Sequence, residues 1–206
     1  MFNQNIKFIS LEGIEGCGKS TQATKLYEHL LNNQVECIIT REPGGCEAGE
    51  KIRNILLDDK IPALEARSEL LLNFASRVEH YEKTIKPALR AGKIVICDRF
   101  IDSTYAYQGS AMGLGFEMIR ELQHLMMPNI YPDITFLINV TIEEAFARIA
   151  KRHNNNRYEK LGKEFHRKVN DGFLQLATNN NRIKIIDGAQ NQENVFQQIL
   201  TFINQS

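Results

Sequence analysis

Gly13-Ile14-Glu15-Gly16-Cys17-Gly18-Lys19-Ser20 has the form G-x-x-x-x-G-K-S/T and directly follows the β-prone run Ile6–Leu11. Glycines at this spacing let the backbone curl so that successive N–H groups meet phosphate oxygens at the positive end of the following helix. Lys19 then reaches the β- and γ-phosphates, and the Ser20 hydroxyl holds Mg²⁺. The loop predicts a bound nucleoside triphosphate with its Mg²⁺, on Gly13, Gly16, Cys17, Gly18, Lys19, Ser20 and Thr21. The bland alternative is a glycine-rich turn with a chance lysine. Strand, loop and helical stretch in that order argue against it.

Other residues with chemistry sit where predicted strands end. Asp98 closes the run Lys93–Cys97, which puts a carboxylate at the edge of a buried strand. There it can hold Mg²⁺ with Ser20, directly or through water, or cap the next helix. Arg41 and Arg99 also follow strand ends, and a guanidinium fork suits a phosphate. Arg77 lies on a predicted helix near Phe74, where a solvated arginine is the ordinary alternative. Ser103 with Tyr107, and Thr104 with Gln108, stand at i, i+4 and form a polar-aromatic face that can read a base and sugar. The same face could instead bury Tyr107 and leave the rest to water. From Arg148 to Lys168 there are eight basic residues, Arg152 and Arg157 among them, against the acidic Glu159 and Glu164. That segment, broken by Asn154–Asn156, reads either as a lid over polyphosphate, about residues 148–162, or as a solvated face.

The elements that position these residues follow from hydrophobic patterning. Short apolar runs at Ile6–Leu11, Val35–Thr40, Ile94–Cys97, Ile134–Val140 and Ile183–Ile186 alternate with helix-length segments. Those segments are Lys19–Asn33, Ala48–Leu57, Glu65–Ala91, Ile101–Ala111, Phe116–Met127, Ile142–Arg152, Gly162–Asn179 and Asn191–Ile203, with Pro87 expected to kink or split the third. This pattern predicts an α/β fold: one five-stranded parallel sheet with helices on both faces and ligands beyond the carboxyl ends of the strands.

The 206 residues suit a single domain spanning 1–206. Lys+Arg and Asp+Glu both number 25, so no overall field favours nucleic acid, and phosphate attraction must be local. The four cysteines include no C-x-x-C pair, and Cys37 and Cys97 lie in apolar runs, as suits a reducing cytosol. No apolar run approaches the ~20 residues of a membrane span, and Asn3-Gln4-Asn5 is no signal peptide. A soluble cytoplasmic protein is expected.

Taken together, these motifs resemble the bacterial thymidylate kinase family from about Ile6 to the final helix. The family's marks stand here as Gly13 to Ser20, Arg41-Glu42-Pro43-Gly44-Gly45, and Asp98-Arg99-Phe100-Ile101-Asp102-Ser103-Thr104-Tyr105-Ala106-Tyr107-Gln108-Gly109. The resemblance implies a P-loop kinase fold with a short mobile lid, a homodimer, and γ-phosphoryl transfer from ATP to dTMP. It implies an acceptor site drawn from Glu15, Arg41, Phe74, Arg77, Arg99, Thr104, Tyr107 and Gln108. Within it Thr104 and Gln108 lie near the thymine and Tyr107 crowds the 2′ position. Lys19, Arg99, Arg152 and Glu15 are the implied catalytic set, Arg152 replacing an arginine that one branch of the family has in the loop. Two positions depart from the pattern: Asn73 stands where the family usually stacks a phenylalanine on the base, and Asn156 where it often has aspartate.

A phosphate acceptor, with a second pKa near ~6, is already largely a dianion and needs no general base. The chemistry is then alignment and charge neutralisation. A deoxynucleoside kinase, with Glu42 as base toward a hydroxyl acceptor, is the nearest rival. A nucleotide-dependent ATPase or switch is another.

Overall fold

The structure, a computed structural model, describes residue 3, residues 5–151 and residues 157–204. Each apolar run forms a strand: β1 (Phe8–Glu12), β2 (Cys37–Arg41), β3 (Ile94–Asp98), β4 (Ile134–Asn139) and β5 (Ile183–Asp187). All pair in parallel, in the order β2-β3-β1-β4-β5. β1 begins two residues later than its apolar run because the Asp133 carboxylate takes the N–H groups of Lys7 and Phe8, at 2.7 and 2.8 Å. It also runs one residue further, so that Glu12 pairs with Leu137 inside the sheet.

Side chains alternate across a strand, and both faces are covered. On β3, Ile94 and Ile96 join a large apolar cluster with Leu26, Leu30, Val169, Phe173 and Ile199, while Val95 and Cys97 join a smaller one with Leu70, Phe74, Phe100 and Ile119. Each fully buried Ile, Leu or Phe contributes about 1.5–3 kcal/mol, which makes the sheet a stiff platform for its loops.

The helices are α1 (Lys19–Asn32), α2 (Glu47–Leu57), α3 (Ala66–His80), α4 (Lys86–Arg90), α5 (Ile101–Thr104), α6 (Phe116–Met126), α7 (Ile142–Ile149), α8 (Lys163–Thr178) and α9 (Gln192–Ile203). Two expected helices are not uniform. Between α3 and α4 the chain widens into a π-helical turn at Tyr81–Ile85, where the Lys86 N–H reaches back to the Tyr81 carbonyl. Pro87 has no N–H to give and its ring would collide with a carbonyl four residues back, so the wider turn lets the helix continue past it. After α5 a second widened stretch covers Tyr105–Ala111. α8 lies close against it: a Cβ on Gly172 would meet the Ser110 Cβ at 2.7 Å, so only glycine allows this approach. α7 starts on a capping box between Thr141 and Glu144 and ends at Ile149, earlier than its pattern suggested.

β1 lies between β3 and β4, and the chain passes to opposite sides of it. This is the topological switch that opens a crevice at the strand ends. The phosphate loop follows β1, and the register sets Asp98 beside both Leu11 and Arg41.

Candidate active site

The loop after β1 curls tightly over α7. A Cβ at Gly16, where φ is +79°, would meet the Ala145 carbonyl at 2.5 Å. Lys19 opens α1 and folds back into the loop, only 6 % exposed. Its ammonium donates to the carbonyls of Gly13 (3.1 Å) and Ile14 (2.9 Å) and contacts the Cys17 thiol (3.6 Å). These three partners are uncharged, so a polyphosphate can take over the ammonium with stronger, charge-assisted bonds. Beside it the Ser20 hydroxyl donates to the Asp98 carboxylate at 2.5 Å.

The other half of the crevice is organised by Arg99. Its own N–H extends the ladder to Leu11 before the backbone turns with φ of +72°. One guanidinium nitrogen donates to the Gly13 carbonyl (2.9 Å) and Ser103 Oγ (3.0 Å), and the other to Glu15 Oε1 (2.9 Å) and the Tyr107 hydroxyl (3.2 Å). Tyr107 also donates to Glu15. Burial raises the Glu15 carboxyl, but Arg99, Lys19 and the Tyr107 hydrogen bond outweigh it and hold Glu15 below the usual carboxylate range. Burial disfavours the Arg99 cation, yet Tyr107, Glu15, Glu12 and Asp98 more than offset this, so its charge is secure.

Beneath Arg99 lies Glu12, fully buried, accepting from the Phe100 N–H (2.7 Å) and Ser103 Oγ (2.6 Å). Burial, then the nearby Asp102, push its pKa up to about 7 against the opposing pull of Arg99, Ser103 and Phe100. A carboxyl raised on folding stabilises the protein below its unfolded pKa, near 4.5, and that contribution is lost as pH rises through 7. Glu12→Gln should therefore gain on the wild type by about 3 kcal/mol in unfolding free energy between pH 4.5 and 8. Parallel pH profiles in denaturant titrations would refute this.

The walls are completed by Arg41, Glu42, Arg53, Asn73, Thr104, Gln108 and Tyr158. Arg41 is largely exposed and grips Glu50 through both carboxylate oxygens, at 3.0 and 3.1 Å. Glu42 is 4 % exposed and fully engaged, by Arg77 Nε at 2.6 Å and His80 Nδ1 at 3.0 Å. Arg77 also donates to the Phe100 carbonyl, while its Nη1 is buried with no partner among the described residues.

A sequence model described as thymidylate kinase matches residues 11–199. This chain belongs to the thymidylate kinase family. It is 42 % identical to a thymidylate kinase of Trichodesmium erythraeum over 214 residues, 97 % of this chain and 95 % of that one. It is 43 % identical to one of Thermoanaerobacter sp. (strain X514), covering 96 % and 97 %. Among solved structures, the thymidylate kinase from Ehrlichia chaffeensis matches with a TM-score of 0.77 at 39 % identity, over 97 % of this chain and 98 % of that one. The parallel sheet and its helices thus form the P-loop kinase fold.

Most residues singled out from the sequence converge in this family member. Glu15, Gly16, Gly18, Lys19, Ser20, Thr21, Arg41, Asp98, Arg99, Thr104, Tyr107 and Gln108 all line the crevice. Gly13 and Cys17 stand behind the loop, Gly13 presenting its carbonyl to both Lys19 and Arg99. Phe74 corrects an expectation: it is 3 % exposed inside the smaller core cluster, with the Arg77 guanidinium 5.4 Å from its ring, and Asn73 takes the wall instead. The physical reason is helical phase, since adjacent residues on α3 point about 100° apart and only one can face the crevice. Arg77 is likewise behind the wall, 2 % exposed.

The expected lid is described only at its two ends, and Arg152 with Asn154–Asn156 lies outside the described residues. At its start Arg148 clasps the carbonyls of Cys17 (3.2 Å) and Gly188 (2.9 Å). At its end Arg157 and Tyr158 dock on Glu69 of α3, at 2.9 and 2.8 Å. Sequence reasoning missed Glu12, Arg53, Glu69 and Tyr158. Glu12 left one legible signal, a charge directly continuing an apolar strand into the loop. Arg53 donates to the Pro43 carbonyl at 2.7 Å, and burial, then Arg41, lower its pKa; nothing in its spacing marked it.

Proposed function

We propose that this chain transfers the γ-phosphoryl group of ATP to dTMP, giving ADP and dTDP. One observation carries the reading. The Lys19 ammonium and an Arg99 guanidinium nitrogen share the Gly13 carbonyl as acceptor, at 3.1 and 2.9 Å. Two nitrogens on one oxygen lie no more than about 6 Å apart, which supports neighbouring anion sites, one at each cation. Lys19 serves the donor phosphates and Arg99 the acceptor phosphate.

The rest of the site agrees. The acceptor oxygen arrives as an anion, so no base is needed. Glu42 is a poor candidate for one, because both of its oxygens are held by Arg77 and His80. That disfavours a hydroxyl acceptor. Gln108 lines the crevice, and its side-chain amide can pair with a pyrimidine that offers a carbonyl or a ring N–H. Tyr107, held by Glu15 and Arg99, is rigid enough to exclude a 2′-hydroxyl. Ser20 and Asp98 are a pair of hard oxygen donors, which fits Mg²⁺ completed by phosphates and water. When bound, the ion withdraws charge from the β- and γ-phosphate oxygens. Arg152 is proposed to meet the transferring group from the lid.

No helix among the described residues is long and apolar enough to cross a membrane, and a cytoplasmic setting is proposed. A homodimer is proposed too, with exposed Leu71 on α3 and Met118, Leu125 and Met126 on α6 as its apolar contacts. ADP release measured across thymidine, dTMP, dUMP, dCMP and dGMP tests the reaction. Turnover with dTMP and none with thymidine is expected. Phosphorylation of thymidine alone, or hydrolysis indifferent to every monophosphate, would overturn the proposal.

A further inference from the structure

Glu69 on α3 is a carboxylate with 0 % exposure and, in the mechanism above, no task. Three donors converge on it. Arg157 Nη2 reaches Oε2 at 2.9 Å, while the Tyr158 hydroxyl and Gln108 Nε2 both reach Oε1 at 2.8 Å. The arginine makes this an ion pair, in which the carboxylate is the acceptor for all three donors.

A side-chain amide has two unlike ends, one donating and one accepting, and it can turn either toward a neutral partner. Toward an ion-paired carboxylate it has one choice. Gln108 is 3 % exposed and lines the crevice. With Nε2 drawn to Glu69, Oε1 is the end left for a ligand, and it meets no donor among the described residues. We propose that Glu69 is a specificity-positioning residue: by fixing the Gln108 amide, it presents a hydrogen-bond acceptor to the acceptor pyrimidine. Thymine and uracil carry an N–H at ring position 3 and are matched. Cytosine has a bare acceptor nitrogen there, and two acceptors facing each other in a buried site are left unpaired. The inference rests on the nucleoside monophosphate kinase reading and adds which residue sets its base choice.

The test compares dTMP with 5-methyl-dCMP, which share a shape and differ at N3 and at the 4-substituent. For wild type a preference of at least about 100-fold in kcat/KM is expected. In Glu69→Gln the new amide can donate to Gln108, so either orientation becomes available, and the preference should fall at least about tenfold, mainly through KM for dTMP. Glu69→Asp keeps an acceptor-only partner and should retain most of the preference, which a loss of packing alone would not predict. A folded Glu69→Gln enzyme with the wild-type preference overturns the inference. Should that variant fail to fold, side-chain amide NMR of the wild-type dTMP complex decides: contacts from the Gln108 NH₂ protons to Glu69 and Tyr158 support it, and contacts to the base overturn it. Equal wild-type turnover of both nucleotides refutes the positioning role while leaving phosphoryl transfer intact. No turnover with any pyrimidine monophosphate refutes the underlying reading instead.

Discussion

Arg99→Ala should lower kcat for dTMP phosphorylation about 10³-fold while the protein still folds. Charge-stabilising groups aimed at a transferring phosphoryl are worth about 10²–10⁵ in rate, and Arg99 is the cation proposed to meet the acceptor phosphate. Its four hydrogen bonds, to Gly13, Ser103, Glu15 and Tyr107, hold the guanidinium in place before a ligand arrives. No other arginine is tied to the phosphate loop from that side among the described residues. Stability should drop by about 1–3 kcal/mol, because Glu15 loses its ion-pair partner but keeps the Tyr107 hydroxyl. Both apolar clusters remain intact. Arg99→Lys keeps the charge and loses the fork, so a loss of roughly 10²-fold is expected. Steady-state kinetics beside thermal melts check both variants. Near-normal turnover in a folded Arg99→Ala enzyme would remove Arg99 from the mechanism.

What was legible in the sequence was whatever depended on short spacing. The phosphate loop is a local device, so its residues, the helix behind it and the strand before it could be read in line. Strand ends were nearly as plain, since an apolar run stopping at Asp98 or Arg41 marks where the backbone leaves the sheet. The hidden parts are non-local or depend on helical phase. Glu69 meets Gln108 and Arg157 across 39 and 88 residues of sequence, and no spacing announces a carboxylate that gathers such distant donors. On α3 a one-residue difference separates Asn73 on the wall from Phe74 in the core. Both π-helical stretches escaped because hydrophobic periodicity cannot distinguish one widened turn from a regular helix.

The same geometry predicts a second large loss with a different signature. Lys19→Met should lower kcat by about 10³-fold or more and weaken ATP, leaving dTMP affinity near wild type. Methionine keeps the length and apolar stem of a side chain that is 6 % exposed, and removes only the donors. Stability should move by no more than about 1 kcal/mol, because the lost contacts to the Gly13 and Ile14 carbonyls are offset by relief from burying a cation. The Gly13 carbonyl also keeps its bond from Arg99. Calorimetric titration with each nucleotide separately is the discriminating measurement: Arg99→Ala should spare ATP and weaken dTMP, and Lys19→Met should do the reverse. Loss of both affinities in Lys19→Met would mean that the loop has collapsed. Because the two cations act on one developing charge across a shared carbonyl, the double variant should lose far less than the product of the single losses. Strict multiplication of the two effects would show that the donor and acceptor halves work independently, against the convergence at Gly13.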